Sequence, residues 1–529
     1  MSVRNGFVLL LALSALLFLA ACGSNGSINN PVAPPSGSFS DSNLNGTYVF
    51  SISGTDIANG APYAMVASLT ANGSGGLTGV VDINDEAFSV DYTPVIPPLA
   101  DATIGNGSYS ITADGRGQAK FTTSNPVFSS VVLDLVLNSS SSGLVTEFDG
   151  NGTGSGTIDV QTAGTTPTGS YAFSLSGGGV ATVGNFTLSG GTLAGLEDFN
   201  DDGIAYPAET LGGNFVLGPS ASPSTTLSTT SFSGLIFDVF AIDATHLKFI
   251  EMDSGAISGD AYSQTSTTIP ASTMAFTMAG AIPTSTPFSA GGFMVFDGGT
   301  GITGTEDVGV AGTSAPPTIN FSGNYTPGGT GRFTLTNFGG TFDGGSTYAA
   351  YPSSGGLLLL EIDDSGITVG AAYTQSAPVP TLASAQGYGL NLSGYNSNVG
   401  EVDDIAEFAV SSSGTTVTGL IDENSQGVGP NFDLALSGTY SLPDTNGRGQ
   451  ISATAGNSTN STANGGFLIT YYSVDGTNFP FVESDGGQVA TGVFVMQSPT
   501  AAAGAAALHS HVFVPRPLSH SHAARQKKN

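Results

Sequence analysis

Tryptophan is missing from this chain, cysteine occurs once, and only 10 of its 529 residues are Lys or Arg. A lone Cys22 rules out an intramolecular disulfide and any cysteine-rich metal site. The few cations face 40 Asp and Glu, giving a formal net charge of −30. That balance argues against nucleic acid or anionic lipid as partners of the body, since both are held by clustered Lys or Arg. No bilayer-length apolar run follows residue 19, and no helical period persists. Enzyme signatures are lacking too. No P-loop or Rossmann glycine pattern opens a helix, and His246, the one histidine outside the C-terminal tail, has no Gly-x-Ser-x-Gly elbow beside it.

What is present is glycine, 76 residues of it, and repetition. A skeleton of Glu, Asp, turn, Gly and Gln occurs four times: Glu147/Asp149 with Gly156 and Gln161, Glu251/Asp253 with Gly259 and Gln264, Glu361/Asp363 with Gly370 and Gln375, and Glu483/Asp485 with Gly492 and Gln497. The Gln lies five residues after the Gly each time. Each unit opens on an alternating segment ending in glycine, clearest as Gly46–Gly54 and Gly169–Gly177, which reads as a half-buried strand. Mid-unit, Gly107-Ser-Tyr109, Gly213-Asn-Phe215, Gly323-Asn-Tyr325 and Gly438-Thr-Tyr440 correspond, and three of the four are followed by a turn arginine: Arg116, Arg332 and Arg448.

About eight short runs per unit, joined by tight turns, predict an all-β chain of four tandem antiparallel meander modules. Small up-and-down barrels come first, because closure removes sheet edges that would otherwise aggregate. Two-sheet sandwiches are the near alternative and a β-propeller the third. The units run 44–161, 167–264, 271–375 and 385–497. A polar tether, 23–43, precedes them, and a tail, 498–529, follows. The tail holds His509, His511, His520 and His522 and reads as a solvated terminus rather than a metal site.

Residues 1–22 form a targeting segment: Arg4, an apolar stretch from Phe7 to Leu19, then Leu19-Ala20-Ala21-Cys22. This resembles the lipobox of bacterial lipoproteins. The resemblance implies cleavage before Cys22, lipid on its thiol and acylation of the new N-terminus, so acyl chains supply the membrane anchor. Gly23 in place of Asp resembles the pattern for sorting to the outer membrane.

Two acidic motifs bear on chemistry. Paired carboxylates can serve a glycosidase as acid and base. Here the Glu-x-Asp pair is present in every unit with no added base or cation, and Asp before Gly, Asp or Ser suits a turn whose backbone it can bond, so its role reads as structural. The second motif follows the third strand. In the second unit Asp198, Asn200, Asp202, Ile204 by its carbonyl, and Glu209, with Gly203 at the bend, match the order of calcium-loop ligands. It resembles an EF-hand loop in ligand order alone, because its flanks read as strands. The second unit also lacks the turn arginine, so the arginines are expected to balance acids within their own units and Ca²⁺ to do so in the second.

The expectation is therefore a non-enzymatic, lipid-anchored envelope protein for binding or surface architecture, with an unknown periplasmic or extracellular ligand. The alternatives are an apolar-ligand carrier using barrel interiors, by analogy with lipocalins, and carbohydrate or cell-surface adhesion.

Overall fold

The computed structural model describes residues 38–499 apart from 89–96, 163, 165, 218–223, 230–233, 254, 265, 283–285, 312–317, 340–345, 364, 457–465 and 484–487. Cys22, most of the tether, Asp485 and nearly all of the tail lie outside the described residues. Two short 3-10 turns, Asp41–Asn43 and Glu86–Phe88, interrupt what is otherwise strand and turn.

The strands form four antiparallel meanders. Barrels 2, 3 and 4 are closed and eight-stranded, built from 169–263, 272–374 and 387–496. The first strand of each pairs with its last, as Phe173 opposite Ala261 shows in barrel 2. Barrel 1, from 45–160, is a nine-stranded sheet whose edges are Leu99–Thr103 and Gly105–Ile111. These are two halves of one bent strand, the counterpart of Ile204–Leu217 in barrel 2. A backbone hydrogen bond from Ile104 N to Gly79 O (3.1 Å) ties the bend to the third strand, and one from Tyr109 N to Gly75 O (2.9 Å) ties the second half to the turn that precedes it. The architecture is thus neither sandwich nor propeller blade.

Alternation decides which residues enter each barrel. In the opening strands Tyr48, Phe50 and Ile52, then Tyr171, Phe173 and Leu175, then Met274, Phe276 and Met278, then Tyr388, Leu390 and Leu392 point inward and are buried. Rings need space on a crowded inner wall, and glycine provides it. A Cβ on Gly184 would lie 2.6 Å from the Phe173 ring, and one on Gly292 would lie 2.8 Å from the Phe276 ring. Barrel 4 is filled by packed aromatics, with Phe479 stacked on Phe494 at 4.8 Å and Tyr388 edge-on to both. The core side chains of barrels 1, 2 and 4 line small apolar cavities of about 10 to 20 Å³, each room for a single water.

Outward residues of the same strands make the second level of structure. Strands one to three of one barrel pack on strands six to eight of the next, and barrel 4 packs on barrel 1 in the same way. Head-to-tail contacts of this kind give a ring when the rotation closes, and here it closes after four. Small apolar clusters fill the seams: Val49, Ala64, Val66, Phe240, Ile242 and Ile250 between barrels 1 and 2, and Val136, Leu144, Ile405, Val493 and Val495 between barrels 4 and 1. A larger one runs from Ala172 through Tyr351 and Leu358 to Tyr472, joining barrels 2, 3 and 4.

Candidate functional site

The residues singled out by repetition meet at these seams. The glutamate of each Glu-x-Asp pair ends the seventh strand of its barrel and is buried: Glu147, Glu251 and Glu361 are 0% exposed and Glu483 1%. Tyr63 Oη donates to Glu147 (2.8 Å), Gly255 N to Glu251 (3.0 Å), and Ser365 Oγ (2.6 Å) and Thr368 Oγ1 (2.8 Å) to Glu361. The aspartate lies in the turn beyond. Asp149 accepts from Asn151 N (2.8 Å) and Val132 N (3.0 Å), and Asp363 from Thr347 N (2.5 Å) and Ser365 N (3.1 Å).

The second unit is bonded differently at this turn. Asp253 occupies the equivalent bend and is half-buried, but its Oδ1 accepts no hydrogen bond. The reason is a change of acceptor. The amide two residues on, which serves Asp149 and Asp363 as Asn151 N and Ser365 N, is here Gly255 N, and Gly255 N goes to Glu251 instead. Burial raises Glu147 well above the usual carboxyl range, with Asp149 beside it adding to the rise.

The carbonyl of that same glutamate receives the neighbouring barrel. Asn84 Nδ2 donates to Glu251 O (2.7 Å) and Gly255 O, Asn200 Nδ2 to Glu361 O (3.1 Å) and Gly366 O (2.9 Å), and Asn424 Nδ2 to Glu147 O (2.7 Å) and Gly152 O (2.9 Å). Barrel 3 has Gly309 at this position, set against the backbone at Glu483. The repeated glutamines are clamps of the same sort. Gln161 Nε2 reaches Ala241 O (2.8 Å), Gln264 Pro352 O (3.3 Å), Gln375 Ser473 O (2.7 Å), and Gln497 Asp114 O (2.8 Å). The last contact joins barrel 4 to barrel 1, so one rule serves all four seams.

The arginines correct an expectation, because they serve the preceding barrel. Arg332 grips Asp198 through Nε (2.8 Å) and Nη2 (2.6 Å), while Tyr351 Oη donates to the same carboxylate (2.6 Å). Arg448 grips Asp307 through Nε (2.7 Å) and Nη2 (2.8 Å), joined by Tyr472 Oη. Burial pushes Asp307 up, but these hydrogen bonds outweigh it and hold the group below its ordinary value. Arg116 bonds Asp114 of its own barrel (3.0 Å) and also reaches Asp433 (2.7 Å) and Asp422 (3.4 Å) of barrel 4.

The calcium reading of the second unit meets a different geometry. Asp198 and Asn200 lie on a regular strand, two residues and therefore about 7 Å apart along one face, both turned to barrel 3. Asp198 already holds a guanidinium. Asp202 sits in the turn at φ 51, Ile204 is 57% exposed, and Glu209 stands on the next strand opposite Glu197. The extended backbone spreads these residues where a wrapped loop would converge them. Among the described residues no group of three or more His, Cys, Asp or Glu is placed to hold a metal ion.

Two features escaped the sequence reading. Lys248, fully buried, donates to Thr157 Oγ1 (2.7 Å) and lies 3.2 Å from Asp260 and 3.4 Å from Asp159, bridging barrels 2 and 1. His246 bonds Asp260 (2.7 Å) and stacks on Tyr262 at 4.6 Å. Nothing local distinguishes such a lysine from a solvated one, because its partners come from other strands. The second feature is the asparagine two residues after the third-strand aspartate in three of the four units. Its recurrence at 84, 200 and 424 was the available signal.

These contacts define a class: four small β-barrels closed into one ring by a repeated head-to-tail seam. No protein-family model and no curated protein matches the chain. Among solved structures, isotype 1 transferrin binding protein B from serogroup B Neisseria meningitidis aligns over 68% of this chain and 84% of its own, at 11% identity and a TM-score of 0.19. A mutant of the vaccine antigen transferrin binding protein B from Haemophilus parasuis aligns over 67% and 82%, at 9% identity and a TM-score of 0.17. Intact Ap-TbpB, with its N and C lobes, aligns over 86% and 95%, at 9% and 0.18. Superpositions this poor carry nothing about function to this chain.

Proposed function

We propose that this protein is a non-enzymatic, lipid-anchored component of a bacterial envelope that displays a rigid ring of barrels for binding or surface architecture. The observation that carries the reading is where the recurring chemistry of the four units is placed. Carboxylates, arginines and repeated amides are buried in seams, which leaves the outer surface of the ring to meet partners. The cavities lined by the cores of barrels 1, 2 and 4 favour architecture over an apolar-ligand carrier, since a void of one water's size admits no such ligand.

Attachment is assigned to Cys22, with sorting to the outer membrane through Gly23. Labelled palmitate should enter the wild-type chain and not Cys22→Ser, which should move to the soluble fraction on cell breakage. Soluble ring should also fail to enhance the emission of an apolar fluorophore such as aminonaphthalene. Saturable enhancement would replace architecture with the carrier reading, whatever the result at Cys22.

A further inference from the structure

Barrel 1 is bounded by seams unlike those of barrel 3. Among the described residues 23 Asp and Glu are buried against three buried Lys or Arg, and the imbalance concentrates beside barrel 1. At its seam with barrel 2, Asp82 stands where Asp198 and Asp307 stand in barrels 2 and 3, yet barrel 2 contains no arginine to meet it. Asp82 instead keeps one buried carboxyl oxygen, Oδ2, without a hydrogen-bond partner, close to Asp238 of barrel 2, while Asp101 N donates to Oδ1 (2.5 Å). The seam's one lysine, Lys248, is engaged by Thr157, Asp159 and Asp260, and His246 by Asp260. At the seam with barrel 4, Arg116 alone faces Asp114, Asp422 and Asp433, with Asp134 and Glu407 beside them. Further along that seam Glu147, with Asp149 beside it, faces Asp403, and Thr55 Oγ1 donates to Glu401.

We propose that barrel 1 is held in the ring by protons: its two seams close while carboxyl groups shared across them are protonated and loosen as those groups ionise, whereas the seams of barrel 3 stay shut. Two neighbouring carboxyls cannot both ionise away from water without a cation, so Asp82, buried beside Asp238 with an oxygen that nothing hydrogen-bonds, keeps its proton while the seam is closed. The direction follows at each group. Burial lifts Asp82 to about 8, against the pull of the Asp101 amide and with Asp238 adding to the rise. Burial and Asp114 take Glu407 to about 8. Burial raises Asp422 to about 6 despite Arg116, and burial with Asp422 raises Asp134 well above the ordinary range. Solvated after opening, these groups return to ordinary values near 4. Raised in the closed state, each stabilises the seam fully below about pH 4 and loses that contribution as pH climbs through its closed-state value.

The test uses the full chain carrying Cys22→Ser and pairs of spin labels on exposed sites. Thr78→Cys with Ala244→Cys spans barrels 1 and 2, Thr78→Cys with Ser452→Cys spans barrels 1 and 4, and Ser189→Cys with Ser322→Cys spans barrels 2 and 3 as control. Between pH 5 and pH 9 the first two pairs should gain a long-distance population, with the opening equilibrium rising roughly tenfold per pH unit for each proton released. The control pair should not move. Asp82→Asn, which keeps a neutral hydrogen-bonding group, should weaken the response between barrels 1 and 2 alone, and Asp134→Asn with Glu407→Gln that between barrels 1 and 4. Equal opening of the control pair, no opening at barrel 1, or a response that these substitutions leave unchanged would overturn the proposal. So would loss of β-sheet circular dichroism over the same range, which would mean general unfolding.

Discussion

Barrels 1 and 3 share a meander, an apolar core and a place in the same ring, yet they are secured by different chemistry. Both seams of barrel 3 contain a set of three: an aspartate from one barrel, an arginine and a tyrosine from the next. Charge is matched there inside a buried contact, so the pair keeps its charges at any ordinary pH. Barrel 1 has one arginine for several acids on one side and none on the other. The tyrosine positions hold Val136 and Phe240 there, which donate nothing. One backbone geometry thus supports two kinds of seam, one fixed and one dependent on protons. Side chains that never enter a barrel core decide between them.

The largest effect should follow removal of a matched cation. Arg332→Ala leaves Asp198 buried and uncompensated and should cost about 3–5 kcal/mol in denaturant unfolding at pH 7. A cost under about 1 kcal/mol would mean that the matched seams are no stronger than surface pairs. Next, Asn424→Ala removes two bonds to Glu147 O and Gly152 O at the closing seam and should cost about 2 kcal/mol by the same measurement. Tyr351→Phe removes one donor to a charged group and should cost about 1.5 kcal/mol, with no pH dependence added. Asp82→Asn should reverse the sign: unchanged melting at pH 5 and a higher midpoint than wild type at pH 8.5, because the neutral amide needs no proton. Smallest of all is the response to calcium. A bound ion at a hundred times its dissociation constant would add about 2.7 kcal/mol. Because Arg332 already occupies Asp198, melting in EDTA and in millimolar Ca²⁺ should coincide, and a shift abolished by Asp198→Ala would restore the ion.

The modules were legible in the sequence and the ring was not, for a definite reason. Period-two alternation tells which residues share a face, so Tyr171, Phe173 and Leu175 could be assigned to one side of a strand. It cannot tell what covers the other side. Asp198, Asn200 and Gln264 recur because a second barrel needs them, and that barrel's contribution, Arg332 and Tyr351, lies well over fifty residues further on. Read locally, an aspartate, an asparagine and a glycine before a turn imitate an ion-binding loop. Read between repeats, the arginine absent from the second unit explains Asp82 of the first, and its own Asp198 is met from the third.

Closure of the ring also settles how many copies the gene can hold. The turns made at successive seams close after four, where Gln497 meets Asp114 and Leu137. A three-copy descendant would leave a gap and a five-copy one a collision, each with a donor face and an acceptor face exposed and ready to polymerise. Duplication within this lineage is therefore disciplined by angle, and copy number should vary far less than the residues between the seams.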